Sequence, residues 1–232
     1  MALTGTEPYY QRRAHEYDKV YAKPERQTDL EQLATLVGEA FVDEDVLEVA
    51  AGTGYWTRFY VDTARSVRAT DINDEVLDVA RARRQWPDST TFEVANAFEL
   101  NLRSVDGTVA GSAVPPDPSE PTAAFAGFFW SHLLLDQADP FLTHLVECLA
   151  PESKIVFIDN RYVEGSNHPI TETDSSGNTY QQRKLDDGTS WRVLKNFPTP
   201  AQIQDQLSQF CTNVSVVELD YFWIAQATTK TR

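Results

Sequence analysis

VLEVAAGTG, residues 46–54, is the stretch on which the reading of this chain turns. It starts as a short apolar run, the pattern of a buried strand, and passes into a turn of small residues, Ala51-Gly52-Thr53-Gly54. Such a turn lets backbone approach a ligand closely, because glycine has no Cβ and adopts left-handed conformations at little cost. A helix is predicted to follow, and its first N–H groups, lacking intrahelical partners, would face whatever fills the turn. Asp71 stands at the end of a second predicted strand, 66–70, where a carboxylate can accept both hydroxyls of an adenosine ribose. Each feature alone is ambiguous, since a small-residue turn can merely join strand to helix and an acid after a strand can merely cap the next helix. Together, at this spacing, they point to a nucleoside cofactor.

On either side helical and strand patterns alternate, as in a parallel sheet with helices packed on it, and no internal repeat is present. A helix is predicted from Pro24 to about Phe41, with Leu30, Leu33, Ala34 and Val37 on one face. Another begins at Asn73, Asp74 and Glu75, carries Arg81, Arg83 and Arg84 toward its negative end, and stops at Trp86-Pro87. Further strands are expected at 91–94, 124–130 and 154–159. A helix opened by Asp139-Pro140 carries Leu142, Leu145, Val146 and Leu149, and a last one opens at Thr199-Pro200 with Ile203, Leu207 and Phe210 inward. Two closing strands, 214–219 and 222–228, are joined too tightly to be parallel. Residues 103–122 carry four prolines and no amphipathic period, which predicts a flexible surface insertion. Residues 160–198 form a second insertion, with Asp187-Gly188 marking a hairpin between YQQRKL and SWRVL.

The chain has 232 residues, 35 acidic and 20 basic, for a net charge of -15. Binding to a phosphate backbone needs clustered Lys and Arg, so a nucleic-acid partner is disfavoured. The longest apolar stretch, residues 123–130, is too short to cross a membrane. The N-terminus has no apolar core behind a basic start, so the protein is expected to be cytoplasmic. Cys148 and Cys211 stand in no metal or redox context, and no metal is expected. Arg outnumbers Lys by 14 to 6, and with so acidic a composition this suggests adaptation to a saline environment.

With these residues in view, the chain resembles the class I S-adenosylmethionine-dependent methyltransferases. VLEVAAGTG is similar to their first motif, roughly VLDxGxGxG, with Glu48 as its acidic member, Gly52 and Gly54 as glycines, and Ala50 where the family usually has Gly. Asp71, followed by Ile72, matches the ribose-binding acid. VANAFEL, residues 94–100, resembles a third signature in which Asn96, standing where Asp is common, meets the adenine amino group, Ala97 the ring nitrogen and Phe98 the ring face. The resemblance implies an α/β Rossmann-like domain over residues 25–232, with a seven-stranded, mostly parallel sheet, helices on both faces and an antiparallel C-terminal strand. It also implies S-adenosylmethionine as cofactor and a small-molecule methyl acceptor. A dinucleotide-binding oxidoreductase is the less favoured cofactor reading, because its fingerprint needs Gly or Ala where this chain has Thr57. A non-catalytic or regulatory S-adenosyl-ligand binder of the same fold is the other alternative.

Methyl transfer from a sulfonium is an in-line displacement, so an O–H or N–H acceptor must also lose a proton. Trp130, Ser131 and His132 leave the fourth strand at the carboxyl edge. There Trp130 would flank the cofactor and His132 would serve as general base or, structurally, orient the next helix. Asn160, Arg161 and Tyr162 leave the fifth strand at the same edge, which makes the 160–198 insertion the expected substrate cover. His168, Tyr180, Arg183 and Trp191 are its candidate contacts, set against ordinary cross-strand packing. The segment 1–24 clusters aromatics with charges at helical spacing and is read as a lid in which Tyr17 and Tyr21 face the cation, or as a helix packed on the domain.

Overall fold

The structure is a computed structural model that describes Tyr9, Asp18 and residues 20–100 and 120–231. Tyr17, most of the 1–24 segment and residues 103–119 of the Pro-rich insertion lie outside the described residues.

A 3-10 turn at Pro24–Arg26 runs into α1 (Gln27–Ala40), which buries Leu30, Leu33 and Val37 of the predicted face, leaves Ala34 half-buried, and buries Ala40 as well. β1 (Asp45–Val49) and β2 (Ser66–Asp71) follow, then α2 (Asp74–Arg83), β3 (Thr90–Val94) and β4 (Ala123–Gly127). α3 (Ala138–Glu147) and β5 (Lys154–Asn160) complete the parallel part. Three short strands, β6 (Ile170–Thr173), β7 (Thr179–Lys184) and β8 (Ser190–Leu194), make a separate antiparallel sheet. α4 (Pro200–Phe210), β9 (Cys211–Glu218) and β10 (Phe222–Thr229) end the chain.

The main sheet has the order β3-β2-β1-β4-β5-β10-β9, with β10 antiparallel to both its neighbours. Its central strands are buried on both sides, so their residues divide by parity between two cores, while the edge strands β3 and β9 are largely exposed or half-buried. Leu47, Val49, Ala124, Ala126, Ile155, Phe157 and Trp223 pack on one face. Val46, Ala123, Phe125, Val156, Ile158 and Phe222 pack on the other. The order reverses between β1 and β4, and at such a switch point the loops leaving the carboxyl ends diverge and open a crevice. No helix among the described residues is long and apolar enough to cross a membrane.

Four local expectations are corrected. The helix expected after Gly54 is a run of turns with a single 3-10 element, Thr57–Phe59. The segment is dense in aromatic and β-branched residues, which are poor helix formers, and its Thr57 and Tyr60 hydroxyls are tied to Glu48. β4 stops at Gly127 rather than Trp130 because Phe128 takes φ 59, which strand geometry does not accommodate. α3 starts at Ala138 after Gln137, with no side-chain cap from Asp139. β6 was not foreseen, because all four of its residues are exposed and it is held by ladder hydrogen bonds without an apolar face. Elsewhere the signals hold: Thr199 and Gln202 form a reciprocal capping box at α4, and Gly188 supplies the positive φ of the β7–β8 turn.

Candidate active site

The turn after β1 is built on left-handed backbone. Ala50, Gly52 and Gly54 have φ of 56°, 56° and 68°. For the two glycines this costs little, whereas Ala50 pays a Cβ penalty of roughly 1–2 kcal/mol. The glycines differ in surroundings. A Cβ on Gly54 would meet Ala80 Cβ and the Trp86 ring at 3.2 Å, so Gly54 permits helix-to-turn packing. A Cβ on Gly52 would meet nothing within 4 Å, so Gly52 leaves an open cradle.

Asp71 lies beside that cradle. One of its oxygens accepts the Gly52 N–H at 2.9 Å and the other the Asn73 N–H at 2.9 Å. Burial pushes its carboxyl up, and the N–H groups of Asn73, Gly52 and Ile72 work against that shift. A carboxylate has about four acceptor positions, so these contacts leave capacity for further donors. Ile72 itself is half-buried. Next to it the end of β3 is joined through Ala95 N–H to Asp71 O at 2.9 Å. Asn96 Oδ1 there accepts the Phe98 N–H at 3.0 Å, which fixes the turn that carries Phe98. The Ala97 N–H has no hydrogen-bond partner among the described residues, and the half-buried Phe98 ring rests edge-on against Phe141 at 6.1 Å.

Glu48 sits beneath this surface. It is 2% exposed, and its Oε2 accepts the Thr57 and Tyr60 hydroxyls, each at 2.6 Å. Burial raises its pKa to about 7, with the two hydroxyls opposing the shift. Its visible work is to pin the turn segment to β1.

Aromatic rings wall the same turn. Tyr21 stacks on Tyr55 at 3.8 Å, sits edge-on to Phe128 at 5.6 Å and accepts the Trp56 Nε1–H at 3.1 Å. Tyr55, Trp56 and Phe128 were not singled out from sequence, and the positive φ of Phe128 is a backbone feature that sequence does not display. Asp18, from the N-terminal segment, accepts the Thr53 hydroxyl at 2.7 Å and pairs with Arg83, whose Nε donates to Thr53 O at 2.7 Å. Asp18 is thus clamped to the glycine turn.

Across the switch point, at the ends of β4 and β5, lies a buried polar network. Asp159 accepts the Ser131 N–H at 2.8 Å and the Ser131 hydroxyl at 2.9 Å, and pairs with Lys195 at 3.3 Å. Lys195 Nζ also donates to Ser131 Oγ and reaches His132 Nε2 at 3.3 Å. His132 Nδ1 lies 2.9 Å from Leu194 O, an acceptor only, so this nitrogen carries the proton and Nε2 the lone pair. Burial, and then the Lys195 charge, hold the imidazole well below its usual pKa, so it is neutral. Burial lowers Lys195 to about 8 against the pull of Asp159. Burial opposes ionisation of Asp159, but Lys195 and the donors around it outweigh that effect and keep its carboxyl below the usual range. Lys195 is the residue that sequence reading missed. It lies one position past β8, in no motif, and only the folded insertion brings it to the strand ends.

The other candidates divide. Asn160 belongs with the network, through its Nδ2 bond to Asp159 at 3.0 Å. Arg183 donates to Gln181 Oε1 at 3.1 Å, and its charge acts on His132 and Lys195. Trp130 is buried against Phe157 and Trp223 and borders a cavity of about 430 Å³ with Ala138, Asn196, Phe197 and Gln206. Arg161 pairs with Glu218 at 2.8 Å, bracing the β9–β10 hairpin, and Tyr162 is exposed against Phe197. His168 is exposed, and its backbone carbonyl receives Gln181. Tyr180 lies on the other face of the small sheet from Gln181 and Arg183, bonded to Asp174 at 3.0 Å and covered by Arg192. Trp191 packs on Tyr9 at 6.2 Å. No group of three His, Cys, Asp or Glu able to hold a metal occurs among the described residues.

Comparison with known proteins gives two kinds of match. The family model for a methyltransferase domain matches residues 46–152. Among solved structures, a DhpI–SAH complex is 27% identical, covering 97% of this chain and 95% of that one, with a TM-score of 0.70. A DhpI–SAM–HEP complex is also 27% identical, covering 95% and 94%, with a TM-score of 0.71. The N-methyltransferase NodS of Bradyrhizobium japonicum WM9, solved with S-adenosyl-L-homocysteine, shares the fold at 13% identity, with coverage of 97% and 98% and a TM-score of 0.62. No curated protein matches the sequence.

Proposed function

The chain is a class I S-adenosylmethionine-dependent methyltransferase, and we propose that it methylates a small molecule bound between the ends of β4 and β5 and the 160–198 insertion. The observation that carries this reading is the open cradle at Gly52 beside Asp71, at the carboxyl end of β1 where the strand order reverses. S-adenosylmethionine, when bound, supplies an electrophilic methyl group on a sulfonium. In this reading Asp71 receives the ribose hydroxyls, the Ala97 N–H meets an adenine ring nitrogen, and Phe98 covers the ring. Tyr21 and its aromatic neighbours, with the N-terminal segment as a lid, exclude water from the cationic end. The relatives solved with SAH or SAM support this cofactor.

For the acceptor, His132 presents the only imidazole lone pair described at the strand ends. An acceptor O–H or N–H that loses its proton on methylation would pass it to His132 Nε2, while Leu194 O keeps Nδ1 protonated and the ring fixed. Lys195 competes for that lone pair, so turnover rises as pH passes the Lys195 value of about 8 and the ammonium discharges.

Thermal stability and turnover test the two halves separately. At a hundredfold its dissociation constant, S-adenosylhomocysteine adds about 2.7 kcal/mol to wild-type stability. Asp71→Ala loses that gain, whereas stabilisation by NAD in its place would sink the cofactor assignment. His132→Ala binds S-adenosylhomocysteine normally and loses about two orders of magnitude in kcat, and unchanged turnover would remove His132 from the chemistry.

A further inference from the structure

Arg26 presents a difficulty in so acidic a protein. It is 2% exposed, yet no carboxylate forms an ion pair with it within 4.0 Å among the described residues. Its Nε donates to Ser166 Oγ at 3.0 Å and its Nη1 to Asn160 Oδ1 at 3.2 Å, and the guanidinium lies 5.6 and 5.5 Å from the Tyr221 and Phe222 ring centroids. Neutral oxygens and ring faces offset only part of the cost of burying a charge. The charges of Glu25 and Asp29 favour the guanidinium without touching it: Glu25 accepts the Ser166 hydroxyl at 2.8 Å and Asp29 the Tyr221 N–H at 2.7 Å, while Asp159 holds the Lys195 ammonium.

A second guanidinium converges on the same turn. Gln181 donates to His168 O at 2.6 Å and accepts from Arg183, so Arg183 is tethered two residues from the Ser166 contact of Arg26. Its charge acts on Lys23, Arg26, His132 and Lys195 together. Asn160 links Arg26 to Asp159 and hence to the proposed reaction site. Guanidinium groups present planar donor forks that match carboxylate and phosphate oxygens.

We propose that Arg26 and Arg183 form the binding site for an oxyanionic group, a carboxylate or a phosphate, carried by the methyl acceptor. This rests on the reading that the acceptor is a small molecule held under the insertion. The anion supplies the direct ion-pair partner that Arg26 lacks among the described residues, and anchoring it there directs the rest of the acceptor past Asn160 toward His132 and the cofactor.

The test is binding, read independently of turnover. Protein saturated with S-adenosylhomocysteine is titrated with inorganic phosphate and, separately, with acetate, against chloride at matched ionic strength. At least one anion is expected to raise the unfolding midpoint saturably, and the stronger of the two identifies the class. Arg26→Gln and Arg183→Gln each weaken that effect about tenfold while S-adenosylhomocysteine still binds, and Arg192→Gln, on the outer face of the small sheet, leaves it unchanged. Arg26→Lys serves as the folded comparison if Arg26→Gln does not fold, and is expected to bind the anion more weakly than wild type. No stabilisation beyond chloride, or stabilisation that survives loss of either arginine, overturns the proposal. Loss of S-adenosylhomocysteine binding by the wild type counts instead against the cofactor assignment, and turnover on macromolecules alone against the small-molecule acceptor.

Discussion

The two banks of the switch point are built in opposite ways. On the β1 side the parts proposed to hold the cofactor are close in sequence: a strand, its turn, Asp71, and the turn after β3. On the β4–β5 side they are scattered, with Ser131 and Asp159 28 positions apart and Lys195 36 positions beyond Asp159. The first bank relies on backbone geometry, in which small residues permit left-handed turns and bare N–H groups. The second relies on buried charge, in which each group is tolerable only because the others are present. A bank made of backbone should yield by small steps to single substitutions, and one made of coupled charges should fail abruptly.

The largest expected effect therefore falls on Lys195. Lys195→Met leaves Asp159 buried without its cation and should cost about 3–5 kcal/mol in denaturant unfolding. Pairing it with Asp159→Asn should recover a good part of that loss. A single-mutant cost below about 1 kcal/mol would remove the distinction between the banks.

Glu48 is the buried charge of the first bank, and its pH dependence sharpens the comparison. Its folded pKa of about 7 lies above the usual 4.5, so its contribution is complete below pH 4.5 and is lost as pH rises through 7. Wild-type stability should fall across that window by at most about 3 kcal/mol relative to Glu48→Gln, which has nothing to titrate there. Parallel stability curves for the two proteins would show that Glu48 is not a buried acid.

The glycines separate packing from ligand approach. Gly54→Ala forces a Cβ against Ala80 and Trp86 and should destabilise by roughly 2–3 kcal/mol, with binding of S-adenosylhomocysteine affected only as far as folding is. Gly52→Ala carries only the φ penalty of about 1–2 kcal/mol but should weaken S-adenosylhomocysteine by tenfold or more in calorimetry. Equal binding losses in both would mean that the cradle at Gly52 is not the approach surface. The smallest effect is at Ala50, where Ala50→Gly should stabilise the protein by about 1 kcal/mol through relief of its positive φ, measured as a raised unfolding midpoint.

Legibility in the sequence follows the same division. The strand positions, the antiparallel end and the α4 start were readable because each rests on a short-range signal: apolar runs, the tight β9–β10 connection, and Thr199 before Pro200. That Asp71 would lie beside the Gly52 turn was readable because a strand-end acid on the neighbouring strand falls next to it. The missing helix after Gly54 was not, since the Glu48 carboxylate that captures Thr57 and Tyr60 comes from the preceding strand. The left-handed Phe128 was not, because nothing in FFWSH marks a positive φ. The pairing of Arg26 with the 166–168 turn joins residues 140 positions apart.

By itself, then, the sequence determined the sheet, the glycine turn after β1 and the class of chemistry, because glycine, proline, parity and a strand-end acid act over a few residues. Only the tertiary structure decided that Lys195 meets Asp159, Ser131 and His132, that Tyr180 lies on the other face of the small sheet from Arg183, and that Arg26 is buried without a direct ion pair among the described residues. Those outcomes depend on how the insertion folds back over the strand ends, and the cost of burying a charge is fixed by neighbours that the chain brings together only when it is folded.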